Sequence, residues 1–316
     1  MHFKLAVIMD PIQHIHYKKD TTLAFLWEAE ARGWDVFYFE QRDLFVRDGQ
    51  AYGNARGLKV FHDPEKYFSL TDKKTVALTD FDVILMRKDP PFNQEFIYTT
   101  YILELAERND VLVVNKPQSL RDANEKMFTT HFPQCCPPTL VTRDIALLRE
   151  FHREQKDIIC KPLAGMGGAS VFRLQAGDMN ASVVFEVLTQ HETCYVMAQH
   201  FIPEIREGDK RIILINGEPV SYALARIPAA GELRGNLAAG AKGVAKPLTD
   251  RDRWICSQVG PVLREKGIYF AGLDVIGDFL TEINVTSPTC IRELDDQCGL
   301  NIAKTFFDFL GGKLMK

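Results

Sequence analysis

No apolar run in the 316 residues approaches the roughly 18 needed to cross a bilayer, so no membrane span is expected. The start, MHFKLAVIMDP, has no apolar core followed by a small-residue cleavage site; it reads as a strand, and no export signal is expected. Seven cysteines make an odd number and none sit in CxxC spacing, while Cys135 and Cys136 are adjacent and badly placed to pair. A reduced, cytoplasmic compartment follows. The formal net charge is only −4, so bulk electrostatics favour neither nucleic acid nor another polyanion. No repeat or low-complexity tract is present. His14-x-His16 has no third ligand nearby and reads as polar loop surface. Cys160 and Cys290 have no histidine at a telling position, which argues against a cysteine nucleophile. What is present is ordinary for a soluble globular chain, 46% hydrophobic and 25% charged, with a length suggesting two domains.

The most informative stretch is Ile268–Glu293, IYFAGLDVIGDFLTEINVTSPTCIRE. It reads as two strands around Gly277-Asp278. Glu282 and Asn284 are two apart on the second strand and share a face, with Leu280 breaking the alternation. Asp274 lies on the first strand. Three oxygen-bearing side chains beside apolar Leu273, Ile283 and Val285 suit a hard cation such as Mg²⁺, whose shell substrate phosphates complete. A solvated polar hairpin face accounts for the spacing equally well. A two-residue turn would set Asp274 opposite Thr281 and Leu273 opposite Glu282, dropping a carboxylate onto the apolar face. An odd-numbered connection, Gly277-Asp278-Phe279, is therefore expected, with Asp274 opposite Glu282.

In chain order, Lys4–Met9 is a buried-type strand, and Asp20 caps a helix from about Thr21 to Arg32 that Gly33 closes. Strands at Trp34–Phe39, Asp82–Met86 and Val111–Val114 alternate with a helix from about Gln94 to Arg108, which implies a small parallel α/β domain. Residues 41–80 carry no clear pattern. A second domain is expected from near Asp122, opening with a helix over Leu120–Phe132 that carries Lys126. Strands follow at Asp157–Cys160, Val171–Leu174 and Thr193–His200. A hairpin at Lys210–Ile215 and Pro219–Ala225 turns at Asn216-Gly217. The Gly- and Ala-rich Ile227–Gly243 reads as a mobile loop, a surface segment or a lid. A helix at Arg251–Lys266 and another near Ile302–Leu310 complete the pattern.

Gly165-x-Gly167-Gly168 sits between strands. It is no P-loop, since no GK[ST] ends it and no helix follows. Its glycines would let backbone N–H groups approach phosphates, and a strand-to-strand turn explains them as well. Taken with Lys126, Lys161, Arg211, Arg226 and the oxygen triad, a triphosphate–Mg²⁺ site accounts for the whole set.

Five segments, KPLAGMGG (Lys161–Gly168), DKR (Asp209–Arg211), ARIP (Ala225–Pro228), RGNLAAG (Arg234–Gly240) and LTEINVTSPTCIRE (Leu280–Glu293), together resemble prokaryotic glutathione synthetase, a family of ATP-grasp ligases. MDPI, MRKDPPF, NKPQSLRD and NEK extend the resemblance through the first half. It implies an α/β (α+β ATP-grasp) fold. A Rossmann-like substrate domain would span 1–121 and an ATP-grasp domain 122–316, the latter with a lid subdomain over 122–202 and a metal-binding, catalytic subdomain over 203–316. It implies joining of γ-glutamylcysteine and glycine through an acyl phosphate, with ATP as co-substrate and two Mg²⁺ ions that Mn²⁺ can replace. It also implies a cytoplasmic homotetramer without nucleic-acid or membrane partners. Lys126, Lys161, Gly165, Gly167 and Gly168 would contact the phosphates. Gln199, His200, Phe201 and Ile202 would line the adenine, with Asp209 near the ribose. Asp274, Glu282 and Asn284 would hold the metals. Arg211 and Arg226 would stabilise the acyl phosphate, with Arg234 and Asn236 on the lid. Lys18, Asp20, Arg87 and Ser287 would contact peptide or glycine. The chain departs from the family's usual Asp at Ala164 and from its usual Gln-Gly at Ala229-Ala230, and His14 and His16 replace more typical amides; altered kinetics are expected, with function kept. Other ATP-grasp ligases, of D-alanine or protein-glutamate type, and a non-catalytic nucleotide-binding protein are the competing readings.

Overall fold

A computed structural model describes residues 2–165, 168–229, 231–232, 235, 237 and 240–315. Strand β1 (Lys4–Ile8) is fully buried from Leu5 to Ile8, as a strand covered on both faces must be. Helix α1 (Thr21–Ala31) starts where Asp20 accepts a hydrogen bond from the Leu23 N–H at 2.6 Å. It leads to β2 (Asp35–Phe39). The unpatterned region forms β3 (Leu44–Arg47), β4 (Gln50–Val60), β5 (Phe68–Leu70) and β6 (Lys74–Ala77). Strand β4 gave no apolar alternation because Ala51, Gly53 and Ala55 occupy its buried positions. A Cβ on Gly53 would stand 2.6 Å from the Phe39 ring. Then come β7 (Val83–Met86), α2 (Gln94–Glu107), β8 (Leu112–Val114) and the short α3 (Pro117–Asp122).

These strands form one sheet in the order β3-β4-β2-β1-β7-β8, with β5 and β6 against β4. Strands β2, β1, β7 and β8 are parallel. Strand β1 has β2 on one side and β7 on the other. Their carboxyl ends open at this reversal of strand order, where ligands of open α/β sheets bind. Asp10 and Arg87–Pro91 follow there.

The single helix expected over Leu120–Phe132 is two pieces. Helix α3 ends at Asp122, and a 3₁₀ turn runs over Met127–His131. Asn124 causes the break: its side-chain oxygen accepts from the N–H groups of Lys126 and Met127, replacing helical partners. Lys126 therefore sits at the entry to the turn.

Strands β9 (Thr139–Thr142), β10 (Asp157–Pro162), β11 (Phe172–Gln175) and β12 (Val196–His200) make a second sheet, ordered β11-β10-β12-β9 and antiparallel throughout. Helices α4 (Ile145–Gln155) and α5 (Ala181–Leu188) cover it. Its core of Leu148, Ile158, Leu174, Phe185 and Val196 is separate from the rest of the molecule. Unlike this sheet, the first sheet and the third share their cores.

The third sheet runs β15-β14-β13-β16-β17, from β13 (Asp209–Ile215), β14 (Glu218–Ile227), β15 (Lys242–Pro247), β16 (Phe270–Ile276) and β17 (Phe279–Asn284). Asn216 and Gly217, both at positive φ, turn β13 into β14 as expected. Helix α6 (Asp250–Glu265) begins with a capping box of Thr249 and Asp252. Helices α7 (Ile291–Cys298) and α8 (Ile302–Leu314) end the chain. The part of Ile227–Gly243 read as loop is shorter than expected, since Lys242 already belongs to β15. Among the described residues, no helix is long and apolar enough to cross a membrane.

Asn115 stitches the first unit to the third sheet. Its amide donates to the Phe270 and Val285 carbonyls, each at 2.7 Å, and its oxygen accepts from the Tyr269 and Phe270 N–H groups. All of its hydrogen-bonding capacity is used in a site only 3% exposed, so replacing it would strand backbone groups of both units.

Candidate active site

The β16–β17 hairpin resolves the register problem by a device other than the one expected. The connection is two residues, with Ile276 opposite Phe279 and Val275 opposite Leu280. A bulge then inserts Thr281, so Asp274 still faces Glu282. The bulge also explains Leu280. The inserted residue shifts the alternation, so Leu280 and Ile283 both reach the core while Glu282 and Asn284 face outward.

Cross-strand register builds the charge cluster. Arg211 on β13 lies opposite Asp274 on β16, and Asp209 lies opposite Arg226 on β14. Arg211 grips Asp274 in a fork at 2.5 and 2.9 Å, and Arg226 reaches Asp274 at 2.9 Å and Asp209 at 2.5 Å. The strands approach closely enough that a Cβ on Gly272 would lie 2.8 Å from Arg211 Cδ. Burial acts to raise the Asp274 pKa, yet the two guanidinium groups win and hold it well below the carboxylate range. For Asp209 burial wins: desolvation outweighs Arg226 and lifts it to about 6.

These residues line a cleft of about 790 Å³ between the second and third sheets. Lys126 and Lys161 enter from opposite walls. The Lys161 ammonium donates to the Thr281 carbonyl at 3.3 Å, so the bulge also anchors this lysine. Burial lowers its pKa. Lys126 donates to the Gly165 carbonyl at 3.0 Å and lies 3.6 Å from Glu282. Its pKa is raised: burial pulls it down, but Glu282 and Glu125 outweigh that.

Gly165, Gly168, Gln199, His200, Phe201, Ile202 and Ser287 line the same cleft. His200 Nδ1 and Asp209 Oδ1 are buried without a hydrogen-bond partner, so the cleft presents polar atoms that a ligand can satisfy. Ser287 donates to Asp89 at the carboxyl end of β7.

Three expected substrate contacts lie outside this lining. Lys18 is exposed on its loop. Asp20 is occupied as the α1 cap. Arg87 is buried between the Phe25 and Phe270 rings and donates to Thr22 Oγ1 and the Pro288 carbonyl. Burial lowers its pKa to about 10. Gly167, Arg234 and Asn236 lie outside the described residues. His14 and His16 are exposed. All seven cysteines are free. Burial pushes Cys160 up to about 12 and also raises Cys290, opposite to the depression a nucleophilic thiol needs.

Sequence reasoning missed Glu125, whose carboxylate contacts the Lys126 ammonium in the cleft. It also missed Gly235, which is buried against the catalytic wall: a Cβ there would meet Asp209 Cβ at 2.8 Å and the Arg226 carbonyl at 3.0 Å. No spacing rule marks either residue: the Glu125 side chain contacts its own neighbour Lys126, and Gly235 packs against Asp209, far along the chain.

For a hard cation, the donors Asp274, Glu282 and Asn284 are all oxygens on adjacent strands, beside the unpartnered Asp209 Oδ1. Such a set fits Mg²⁺. Among the described residues no three His, Cys, Asp or Glu side chains cluster at metal-binding separations; a cation here would need a further oxygen, and Asn284 is adjacent, its amide nitrogen donating to Asp274 Oδ2 at 3.2 Å.

Two antiparallel sheets gripping a cleft lined by lysines and a carboxylate hairpin define an ATP-grasp ligase. The fold is similar to D-cycloserine synthetase DcsG (TM-score 0.66, 14% identity, covering 97% of this chain and 99% of that one) and to the ATP-grasp ligase PsnB (TM-score 0.64, 15% identity, covering 99% and 98%). The sequence profile of the prokaryotic glutathione synthetase N-terminal domain matches residues 3–121, and that of the same family's ATP-grasp domain matches residues 125–299. Glutathione synthetases from Pseudomonas syringae pv. tomato (61% identical, covering 99% of this chain and 98% of theirs), Coxiella burnetii (56%, 99% and 98%) and Escherichia coli K12 (53%, 99% and 99%) are similar over their full length. The chain belongs to the prokaryotic glutathione synthetase family.

Proposed function

We propose that the chain joins γ-glutamylcysteine to glycine at the expense of ATP. The cysteinyl carboxylate attacks the γ-phosphorus, ADP leaves, and an acyl phosphate forms. The glycine amine attacks the acyl carbon, loses a proton, and phosphate departs carrying one oxygen of the original carboxylate. Activation is needed because a carboxylate is a poor acyl donor. Phosphoryl transfer asks the protein for alignment and charge neutralisation, not a nucleophile, and Cys290, the cysteine in the described cleft lining, has its thiol pKa raised by burial.

The single observation that carries the reading is one cleft that gathers the buried Arg211–Asp274–Arg226 cluster, Glu282 beside it on the same sheet, and the ammonium groups of Lys126 and Lys161. Five cationic side chains (Lys126, Lys161, Arg173, Arg211, Arg226) and six carboxylates (Asp89, Glu125, Asp209, Glu232, Asp274, Glu282) line the cleft among the described residues, so opposite charges nearly cancel there before ligands bind. A triphosphate adds negative charge that divalent cations would offset. In this proposal Lys126, Lys161 and the 165–168 loop hold the phosphates, while Gln199–Ile202 and Asp209 hold the nucleoside. Asp274, Glu282 and Asn284 would hold two Mg²⁺ or Mn²⁺ ions, which would supply positive charge to offset the negative charge of the phosphates. Arg211 and Arg226 stabilise charge on the transferring group, assisted by Arg234 and Asn236. Ser287, beside Asp89, is placed to meet the peptide; Lys18, Asp20 and Arg87 would act on the substrate side from farther away. A substrate domain over 1–121, a grasp domain over 122–316, a homotetrameric state and a cytoplasmic location belong to the same proposal. A unit-charge pair at 4 Å is worth about 1 kcal/mol in bulk water and about 4 at an effective dielectric of 20, so excluding water from the phosphates would multiply each contact.

The test is mass-spectrometric detection of glutathione from ATP, γ-glutamylcysteine and glycine, with D-alanine as the competing substrate. Product from D-alanine alone would overturn the proposal.

A further inference from the structure

The segment carrying Lys126 is pinned on both sides of the cleft. The Glu125 carbonyl accepts from the Ile283 N–H on β17 at 2.8 Å, and the Asn124 amide donates to the Leu163 carbonyl beyond β10 at 3.2 Å. With the backbone fixed, the Lys126 ammonium has three acceptors within reach: the Glu125 carboxylate in direct contact, the Gly165 carbonyl at 3.0 Å, and Glu282 at 3.6 Å. Two carboxylates thus share one buried ammonium, and only one of them, Glu282, is wanted for a divalent cation. Glu125 has no role in the chemistry described above.

We infer that Glu125 is a positioning residue that holds the Lys126 ammonium off Glu282, leaving that carboxylate free for the divalent cation; this rests on the metal reading proposed above. A cation at Glu282 repels an ammonium only a few ångströms away. Glu125 offers that ammonium an alternative partner, so metal binding does not have to expel it. Without the Glu125 charge, Glu282 is, among the described residues, the remaining carboxylate in contact range of Lys126, and the ammonium competes directly with the metal. The two groups are then thermodynamically coupled through a third, which a double-mutant cycle can measure.

The experiment is Mn²⁺ binding to the full-length protein without turnover, read from the free-Mn²⁺ paramagnetic resonance signal. Glu125→Gln is expected to weaken Mn²⁺ by about tenfold, within the range of coupling between contacting groups. Glu125→Asp, which keeps the charge, should recover much of the loss. In a Lys126→Met background, Glu125→Gln should change Mn²⁺ affinity little, because the competitor is gone. Urea midpoints of all variants separate a folding defect from a binding one. Unchanged Mn²⁺ affinity in Glu125→Gln, or an equal loss with and without Lys126, overturns the inference alone. Absence of Mn²⁺ binding in the unmodified protein overturns the metal reading and this inference together.

Discussion

Replacing Asp274 by Asn tests the charge cluster as a structural element. Asp274 is 3% exposed and receives three contacts of 2.9 Å or less from two guanidinium groups. Arg226 keeps Asp209 after the change, but among the described residues Asp274 is the carboxylate shown in contact with Arg211. One buried charge is thereby left without its partner, a loss that typically costs about 3–5 kcal/mol. With an m-value of about 3 kcal/mol/M in urea, the unfolding midpoint should drop by about 1–1.7 M. The paired change Arg211→Met with Asp274→Leu removes both charges and should restore most of the midpoint while abolishing turnover. The pH dependence has a definite sign. The folded-state pKa of Asp274 lies below its ordinary value of 3.8, so its contribution is complete above that value and is lost as the pH falls below it. The gap between the unmodified and Asp274→Asn proteins should persist from neutral pH down to about 4, modulated near pH 6 as the neighbouring Asp209 titrates, and close only in stronger acid. A midpoint shift below about 0.3 M, or a gap that closes between pH 7 and 5, would refute the reasoning.

Two further predictions concern the cleft. Glu282→Ala should abolish Mg²⁺-dependent turnover with the urea midpoint nearly unchanged, because its side chain is a quarter exposed and makes no close ion pair; wild-type turnover would remove it from the metal set. Gly235→Ala places a methyl group 2.8 Å from Asp209 Cβ and 3.0 Å from the Arg226 carbonyl. It should lower kcat by at least tenfold, about 1.4 kcal/mol of barrier. Unaltered steady-state kinetics would show that this contact is not needed in the working enzyme.

The parts of the site legible in the sequence are those written in local periodicity. Glu282 and Asn284 share a face because they are two apart; the break at Leu280 is the mark of the bulge, but in the sequence it reads only as an exception, and the Asp274–Glu282 pairing was assigned to turn length instead. The parallel strands announced themselves as apolar runs. By contrast, β4 hid behind small residues at its buried positions. Helix α7 begins at Cys290 in a left-handed conformation with no side-chain cap, so it carries no start signal. Helix continuity through Asn124 failed because a side-chain hydrogen bond outcompeted the helical one. Asn115, Glu125 and Gly235 acquire meaning only from partners far along the chain, such as Phe270, Ile283 and Asp209, and no pattern of spacing contains that information.

The central claim is that the peptide carboxylate is phosphorylated in this cleft before the amine attacks. Supplying γ-glutamylcysteine with ¹⁸O in its cysteinyl carboxylate, together with ATP and glycine, measures this directly. One labelled oxygen should pass into each phosphate released; phosphate free of label alongside labelled glutathione would contradict the account.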